Sequence, residues 1–366
     1  MVNLIHCGID KFIENTSGKK LCLFGAGRRA RHLCDSLDLE SIICKVVDND
    51  DKLKDNIFTV NQKQIPIIGV EDFIDFVVKQ GLENVQLVIT NAFYAWDIIK
   101  QLDDIESLEG LICYDMNLLM DYKHNEDFEF TKGTQKIPKK IHYCWFGGNQ
   151  IPDRLQKCID SWKKYCPDYE IIRWDETNYD ITKNRYMKEA YENKKWGFVS
   201  DYARLDVVYR EGGIYLDTDV ELLRPLDELL NDSVFFCADS DLMIASGLGF
   251  GAEKRNSFIK DMRDYYNDKA FIKEDGSLDS SPCYVYQHPV LKNHGFKIKN
   301  RYQNINGIVI YPSEVAAPMG RNALFSNITE KTVSVHHNEF SWIEKEEYNH
   351  LEEYRKNILN RIGLGE

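Results

Sequence analysis

Two carboxylates spaced one residue apart are the strongest chemical signal in the sequence. Asp217 and Asp219 follow the apolar residues 214–216, which themselves follow the double glycine at 212–213. Alternate residues of an extended segment point to the same side, so both carboxylates can face one site. Hard divalent cations such as Mg²⁺ and Mn²⁺ prefer oxygen ligands and commonly share them with substrate phosphates. The spacing therefore predicts a metal site that faces a diphosphate.

The segment that must position these carboxylates is an upstream helical pattern. It carries Asp201 and Arg204 and ends at the double glycine 212–213. Residues three apart on a helix can form a simple surface ion pair, worth roughly 0.2–0.5 kcal/mol. Because this helix leads directly into the Asp-x-Asp segment, we favour a role for the pair in the site.

Three segments, in order, resemble glycosyltransferase family 32, which includes capsular polysaccharide enzymes and is distantly similar to clostridial toxin glucosyltransferase domains. The central segment runs from Ser200 to Asp219, with Gly-Gly-Ile-Tyr before Asp-Thr-Asp. The opening segment is 137–148, and the closing segment has His336-His337 followed by Ser341-Trp342. The resemblance covers about residues 136–343.

The resemblance implies a GT-A-type fold and metal-dependent, retaining sugar transfer from a nucleotide-diphosphate sugar, with a UDP-sugar as the expected donor. It implies a glycan or lipid-linked glycan as acceptor and Mn²⁺ or Mg²⁺ as cofactor. The implied catalytic residues are Asp201, Arg204, Asp217 and Asp219, with Arg204 stabilising negative charge during transfer. The implied donor-binding residues are Trp145, Asp201, Arg204, Tyr215, Asp217, Ser341 and Trp342.

Two positions keep alternatives open. Trp145 ends an apolar strand pattern, so it could be a core residue, although the resemblance implies stacking on the donor base. His336 and His337 are adjacent, so on a strand only one of them faces the site. The resemblance implies Asp217, Asp219 and His337 as metal ligands, by the five-residue spacing of His337 before Trp342, with His336 as the alternative.

The N-terminal part has the pattern of a separate α/β domain. A strand pattern at 21–24 precedes Gly25-Ala26-Gly27, and Asp48 follows a second strand pattern about twenty residues later. This matches a dinucleotide-binding fingerprint, so Gly25, Gly27 and Asp48 could bind a nucleotide, although the glycines could equally form a structural turn. The segment also resembles a Rossmann-like module fused to bacterial sugar-modifying enzymes.

We therefore expect an α/β protein with a Rossmann-like parallel-sheet domain at 1–125, a linker at 126–136 and a GT-A transferase domain at 137–366. The last domain should end in an amphipathic helix over 344–366, with Tyr348, Leu351, Tyr354 and Ile358 on one side.

The composition of the chain limits which classes of binding partner we expect. The 366 residues carry a formal net charge of −13, which argues against nucleic acid. No apolar run approaches the ~18 residues of a membrane span, and no signal peptide is visible at the start. The ten cysteines lack C-x-x-C spacing and are expected to be reduced thiols. We expect a cytoplasmic enzyme that can contact a membrane peripherally.

Two departures from the family pattern leave the acceptor and the sugar open. Ser246-Gly247 stands where relatives often carry asparagine, and Ser281-Pro282 stands where they often carry Gly-Pro. The alternative functions are a toxin-like transferase that glycosylates a protein, a nicotinamide oxidoreductase using the N-terminal glycines, and a nucleotide-sugar sensor without turnover.

Overall fold

The computed structural model describes residues 1–60, 62–122, 126–320, 324–338 and 345–365. Contacts divide the chain into two units. The first comprises Met1–His124, Gly320–Ser326 and Phe340–Glu366, and the second comprises Asn125–Met319 and Asn327–Glu339. Among the described residues, no helix is both long enough and apolar enough to cross a bilayer.

The first unit contains a seven-stranded sheet. Its strands are β1 (Asn3–Leu4), β2 (Lys20–Phe24), β3 (Ile43–Val47), β4 (Ile57–Val60), β5 (Lys63–Ile68), β6 (Val85–Ile89) and β7 (Ile112–Asp115). The spatial order is β1-β7-β6-β2-β3-β5-β4, and all neighbours are parallel except the antiparallel pair β4–β5. The order β5-β3-β2-β6-β7 is that of a doubly wound Rossmann-type sheet: successive strands are added on one side of β2 and then, from β6 onward, on its other side.

In the described part of this unit, four helices connect strands of this sheet, as the alternating sequence pattern predicts, and a fifth follows β7. They are α1 (Ile9–Thr16), α2 (Arg28–Leu37), α3 (Val70–Gln80), α4 (Ala95–Asp103) and α5 (Met116–Asp121). Helix α2 begins directly after Gly27, so the glycine turn at 25–27 links the end of β2 to a helix N-terminus.

The second unit contains a mixed seven-stranded sheet and a two-stranded ribbon. Its strands are β8 (Lys140–Cys144), β9 (Glu170–Trp174), β10 (Gly213–Tyr215), β11 (Val220–Leu222), β12 (Val234–Cys237), β13 (Phe250–Ala252), β14 (Gln303–Ile305), β15 (Ile308–Tyr311) and β16 (Ser334–His336). The sheet order is β14-β15-β12-β13-β10-β8-β9, while β11 and β16 form the ribbon. Strands β9, β8 and β10 run parallel, so their carboxyl ends lie along one edge.

The helices of this unit are α6 (Asp153–Tyr165), α7 (Arg185–Glu192), α8 (Trp196–Glu211), α9 (Ser257–Asp264), α10 (Tyr284–Asn293) and α11 (Ser313–Ala316). Helix α8 carries Asp201 and Arg204 and packs against β8 and the helices α7 and α9. Residues 201–208 are all buried, so α8 is enclosed on several sides rather than amphipathic. An enclosed helix gives its polar side chains fixed surroundings.

The last helix, α12 (Lys345–Arg361), differs from the sequence expectation in its location. It was expected in the second domain, but contacts assign it to the first unit. Leu351, Tyr354 and Ile358 are buried, and the Tyr354 hydroxyl donates to Asp115 Oδ2 at 2.6 Å. Tyr348, expected on the same apolar side, is exposed. The amphipathic pattern identifies a buried face and carries no information on which sheet covers it.

Candidate functional site

The carboxylate segment begins at a turn that only glycines fit. Helix α8 ends at Glu211, and the amide of the following residue, Gly212, donates to the Val208 carbonyl at 2.8 Å. Gly212 and Gly213 both have positive φ, at 66° and 110°. A Cβ atom on Gly213 would lie 2.9 Å from the His142 ring and from Lys140, so the turn presses against β8. This close approach brings β10 into the sheet beside β8 and directs the chain toward Asp217.

The side chain of His142 on β8 contacts this turn. Its Nε2 lies 2.7 Å from the Gly212 carbonyl oxygen, and its Nδ1 accepts from the Trp174 indole at 3.1 Å. Its own carbonyl oxygen accepts from the Leu216 amide at 3.0 Å. Burial lowers the pKa of His142 to about 4, so the ring is neutral near pH 7. The residue thus contacts the chain on both sides of β10.

Asp201, Arg204 and Asp217 form a connected chain of charges. Arg204 Nη2 lies 2.8 Å from Asp201 Oδ1, and Nη1 lies 3.3 Å from Asp217 Oδ2. Both members of the helical pair are buried, at 5% and 4% exposure, so the surface ion pair considered from sequence is excluded. Burial raises the pKa of Asp201 to about 7, although Arg204 acts in the opposite direction.

Tyr215 holds Asp217 from the other side. Its hydroxyl donates to Asp217 Oδ1 at 3.0 Å, and the Arg204 guanidinium lies 5.2 Å from the centre of its ring. Tyr215 is 1% exposed, so its side chain supports the carboxylate instead of facing a donor as the sequence analysis expected. Asp217 is therefore oriented by two side chains that were assigned donor-binding roles.

Asp217, Asp219 and His336 form a cluster with the composition of a cation site. One ligand atom from each lies within 4.8 Å of the other two. The pKa of Asp217 is raised by burial and by the negative charge of Asp219, against the effect of Arg204. A divalent cation would relieve this repulsion, and the two carboxylates are oxygen ligands that suit Mn²⁺ or Mg²⁺. The donor set fits the metal that the Asp-x-Asp spacing predicts.

The geometry places His336, the alternative, toward the carboxylates, and not His337, which the resemblance favours. In the ribbon, His336 pairs with Val220, next to Asp219, and its Nε2 lies 3.4 Å from Asp219 Oδ1. The His337 ring points away and contacts Glu221 Oε2 at 2.9 Å. The alternation of side chains along a strand explains the difference, because only one of two neighbours can face the carboxylates.

Trp145 lies at the same sheet edge as the carboxylates, directly after β8. Its indole donates to the Asn149 carbonyl at 2.7 Å, and its ring is partly buried against the core. This position is compatible with both alternatives, a core residue and a base-stacking residue. Ser341 and Trp342, the expected closing residues, lie outside the described residues.

Sequence reasoning did not identify the turn Ser246–Leu248 as a neighbour of Asp217. A Cβ atom on Gly247 would lie 2.5 Å from Asp217 Oδ2 and 3.2 Å from Arg204 Nη1. Gln287 on α10 holds this turn: its Nε2 donates to Ser246 Oγ at 2.7 Å, and its Oε1 accepts from the Ser246 amide at 3.1 Å. Gln287 is 41 positions away from Ser246 along the chain, so no local pattern links the two residues. In the sequence, Ser246-Gly247 stands out only as a departure from the family pattern.

The glycine turn of the first unit has different surroundings. Gly25 has a φ of 110°, and its carbonyl lies 3.1 Å from the Thr90 hydroxyl. Asp48 accepts from the Ala26 amide at 2.7 Å and from the Asp50 amide at 3.0 Å. Nothing lies within 4 Å of a Cβ atom built on Gly27. These groups stabilise the turn, and no candidate metal cluster among the described residues includes them.

Comparison with known proteins agrees with this site. Residues 152–236 match the family described as "Glycosyltransferase sugar-binding region containing DXD motif". The matched residues contain α8, Asp217 and Asp219, and all of them lie in the second unit.

Curated relatives include two fungal proteins. Inositol phosphoceramide mannosyltransferase 1 of Schizosaccharomyces pombe is 29% identical over 139 residues, which cover 34% of this chain and 41% of that protein. Mannosyl phosphorylinositol ceramide synthase SUR1 of Saccharomyces cerevisiae is 27% identical over 188 residues, which cover 49% and 45%. The chain thus spans less than half the length of either relative.

A solved glycosyltransferase involved in glycosylation of the major capsid of PBCV-1 is also similar. It shares 12% identity, covers 59% of this chain and 100% of its own, and has a TM-score of 0.35.

Proposed function

We propose that the chain is a metal-dependent glycosyltransferase that moves a sugar from a nucleotide-diphosphate sugar to a hydroxyl group. The observation that supports this most strongly is the convergence of Asp217, Asp219 and His336 at the end of β10. We also propose that the second unit is of GT-A type, because its Asp-x-Asp motif follows a strand of a mixed sheet, β10, that lies between the parallel strand β8 and the antiparallel strand β13.

The residues around the cluster have distinct proposed roles. Asp217, Asp219 and His336 would hold Mn²⁺ or Mg²⁺, which when bound supplies positive charge against the departing diphosphate. Arg204 adds a fixed positive charge beside Asp217, and its buried ion pair with Asp201 keeps it in place. Tyr215 and Gly247 fix the orientation of Asp217 by a hydrogen bond and by close packing. Catalysis would rest mainly on positioning and electrostatics.

The relatives narrow the proposed substrates. Both fungal proteins are named for mannosyl transfer to an inositol-containing ceramide. We therefore propose a mannosyl donor and a lipid-linked acceptor hydroxyl as the first substrates to test, beside the UDP-sugars that the sequence analysis favoured. Retention at the anomeric carbon stays part of the proposal and would be read from the product by NMR.

The experiment is slow donor hydrolysis, which needs no acceptor. The protein is incubated with GDP-mannose and a panel of UDP-sugars, each with Mn²⁺, with Mg²⁺ and with a chelator. We expect metal-dependent release of one nucleotide, which would also identify the donor. If no donor is hydrolysed and none binds in a metal-dependent manner, the proposal is abandoned.

A further inference from the structure

The side chains of the two adjacent histidines, His336 and His337, lie in different surroundings. His336 Nε2 faces Asp219, and the His336 side chain is only 13% exposed. His337 Nε2 faces Glu221, and that side chain is 40% exposed. The contacts of the other ring nitrogen, Nδ1, determine how the His336 ring is held with Nε2 toward the carboxylates.

Asn338 contacts the other nitrogen of that ring. Its Oδ1 lies 3.0 Å from His336 Nδ1, while its Nδ2 lies 3.5 Å from the His336 carbonyl oxygen. The second contact orients the amide, because its nitrogen donates to the carbonyl and its oxygen therefore faces the ring. A carboxamide oxygen can only accept, so this contact is a hydrogen bond when Nδ1 carries the proton. The competing acceptor, Asp219 Oδ1, lies 3.4 Å from Nε2, beyond the usual N–H···O distance, so Nδ1 has the closer partner for the proton. Nε2 is then the unprotonated nitrogen, with its lone pair directed toward the Asp219 side.

The backbone at Asn338 explains why this side chain can reach back to the ring. Its φ is 49°, in the left-handed region, where asparagine, aspartate and glycine are tolerated far better than other residues. The reversal after β16 returns the amide to the residue two positions earlier. The same position therefore needs both a left-handed backbone and an acceptor.

We propose that Asn338 is a positioning residue that fixes His336 in the Nδ1–H tautomer and so presents Nε2 to a divalent cation at Asp217 and Asp219. This inference rests on the proposed function. Histidines that bind metals commonly donate their other N–H to an acceptor, and loss of that acceptor typically weakens metal affinity 10- to 100-fold. The acceptor here is supplied by the residue that also makes the turn.

The first test reads the tautomer without any variant. Long-range ¹H–¹⁵N NMR of the metal-free, full-length protein at alkaline pH distinguishes the two neutral forms of each histidine, with His336→Gln used for assignment. We expect His336 to be protonated at Nδ1. Protonation at Nε2 would overturn the inference.

The second test measures Mn²⁺ affinity from the EPR signal of free Mn²⁺. Asn338→Gly removes the acceptor and suits the left-handed backbone, so we expect affinity to fall about 10- to 100-fold. Asn338→Asp keeps both features and should stay within about threefold. His337→Gln, the matched neighbour, should also stay within about twofold, because its ring contacts Glu221 and not the cluster.

The outcomes separate this inference from the proposed function. If His336→Gln weakens Mn²⁺ binding while Asn338→Gly does not, the role of Asn338 is refuted and the metal site stands. If neither His336→Gln nor Asp219→Asn changes Mn²⁺ binding, the proposed metal site itself is refuted.

Discussion

Each unit of this protein has a glycine turn beside a parallel strand, but the two turns differ in what surrounds them. In the first unit, Asp48 accepts backbone amides and so stabilises the turn itself. In the second unit, the turn at 212–213 leads to Asp217 and Asp219, which converge with His336. The comparison shows that a glycine turn in a sequence indicates only which backbone conformation is needed there. Side chains that converge on one point indicate a site that can do chemistry.

The largest effect is expected from a comparison of two cationic side chains, Arg204 and Lys100, each of which bridges two carboxylates. Arg204 does so in a buried position, while Lys100 bridges Asp97 and Glu353 at 3.0 and 3.1 Å on the surface of the first unit. Arg204→Met leaves buried charges uncompensated and should lower the free energy of unfolding by about 3–5 kcal/mol. Lys100→Met should cost less than about 1 kcal/mol.

Urea unfolding of both variants, followed by circular dichroism, checks this comparison. Equal losses in the two variants would contradict the claim that the charges around Asp217 form a buried network.

A second prediction compares the two side chains that contact the glycine turns of the two units, Thr90 and His142. Thr90 in the first unit does not titrate, whereas His142 in the second does. The folded pKa of His142 lies near 4, below its ordinary 6.5, so the unfolded state takes up the proton first as pH falls. Stability from this group is therefore present above about pH 6.5 and is lost between pH 6.5 and 4, by about 3 kcal/mol.

The free energy of unfolding is measured for wild type and for His142→Gln, at pH 7 and at pH 4. The difference between the two proteins is then compared between the two pH values. Buried carboxyls with a raised pKa, such as Asp201, have the opposite dependence and cancel in that difference. Tryptophan fluorescence reports on the second unit through Trp145, Trp162, Trp174 and Trp196. A difference that does not vary with pH would show that the pKa of His142 is not lowered in the folded state.

A third prediction compares two glycine-to-alanine changes. Gly247→Ala places a methyl group against Asp217 and Arg204, so the carboxylate must move. We expect Mn²⁺ affinity to fall about tenfold, roughly 1.4 kcal/mol. Gly27→Ala meets nothing within 4 Å and should leave it unchanged. Calorimetric titration with Mn²⁺ checks both, and unchanged affinity in Gly247→Ala would refute the contact.

Local patterns predicted much of this structure. The strand patterns at 21–24 and before Asp48 are confirmed by β2 and β3, and the helical pattern that carries Asp201 and Arg204 is confirmed by α8. The Asp-x-Asp segment could be predicted because strand alternation and glycine conformation are properties of neighbouring residues.

Features that depend on packing between distant segments could not be predicted. Alternation indicated that one histidine faces the site, but only the pairing of His336 with Val220 identifies which one. The proximity of Gly247 to Asp217 and the support from Gln287 arise from tertiary contacts that no spacing encodes. The location of α12 likewise depends on the surface that buries Tyr354.

The most direct test compares one carboxylate from each unit. Metal-dependent nucleotide release from the donor is measured for Asp219→Asn and for Asp48→Asn, at saturating metal. We predict a loss of about 100-fold or more for Asp219→Asn, because a cation ligand and its charge are removed, and a change within about twofold for Asp48→Asn. Retention of most turnover by Asp219→Asn, with loss in Asp48→Asn, would contradict the account and move the reaction to the first unit.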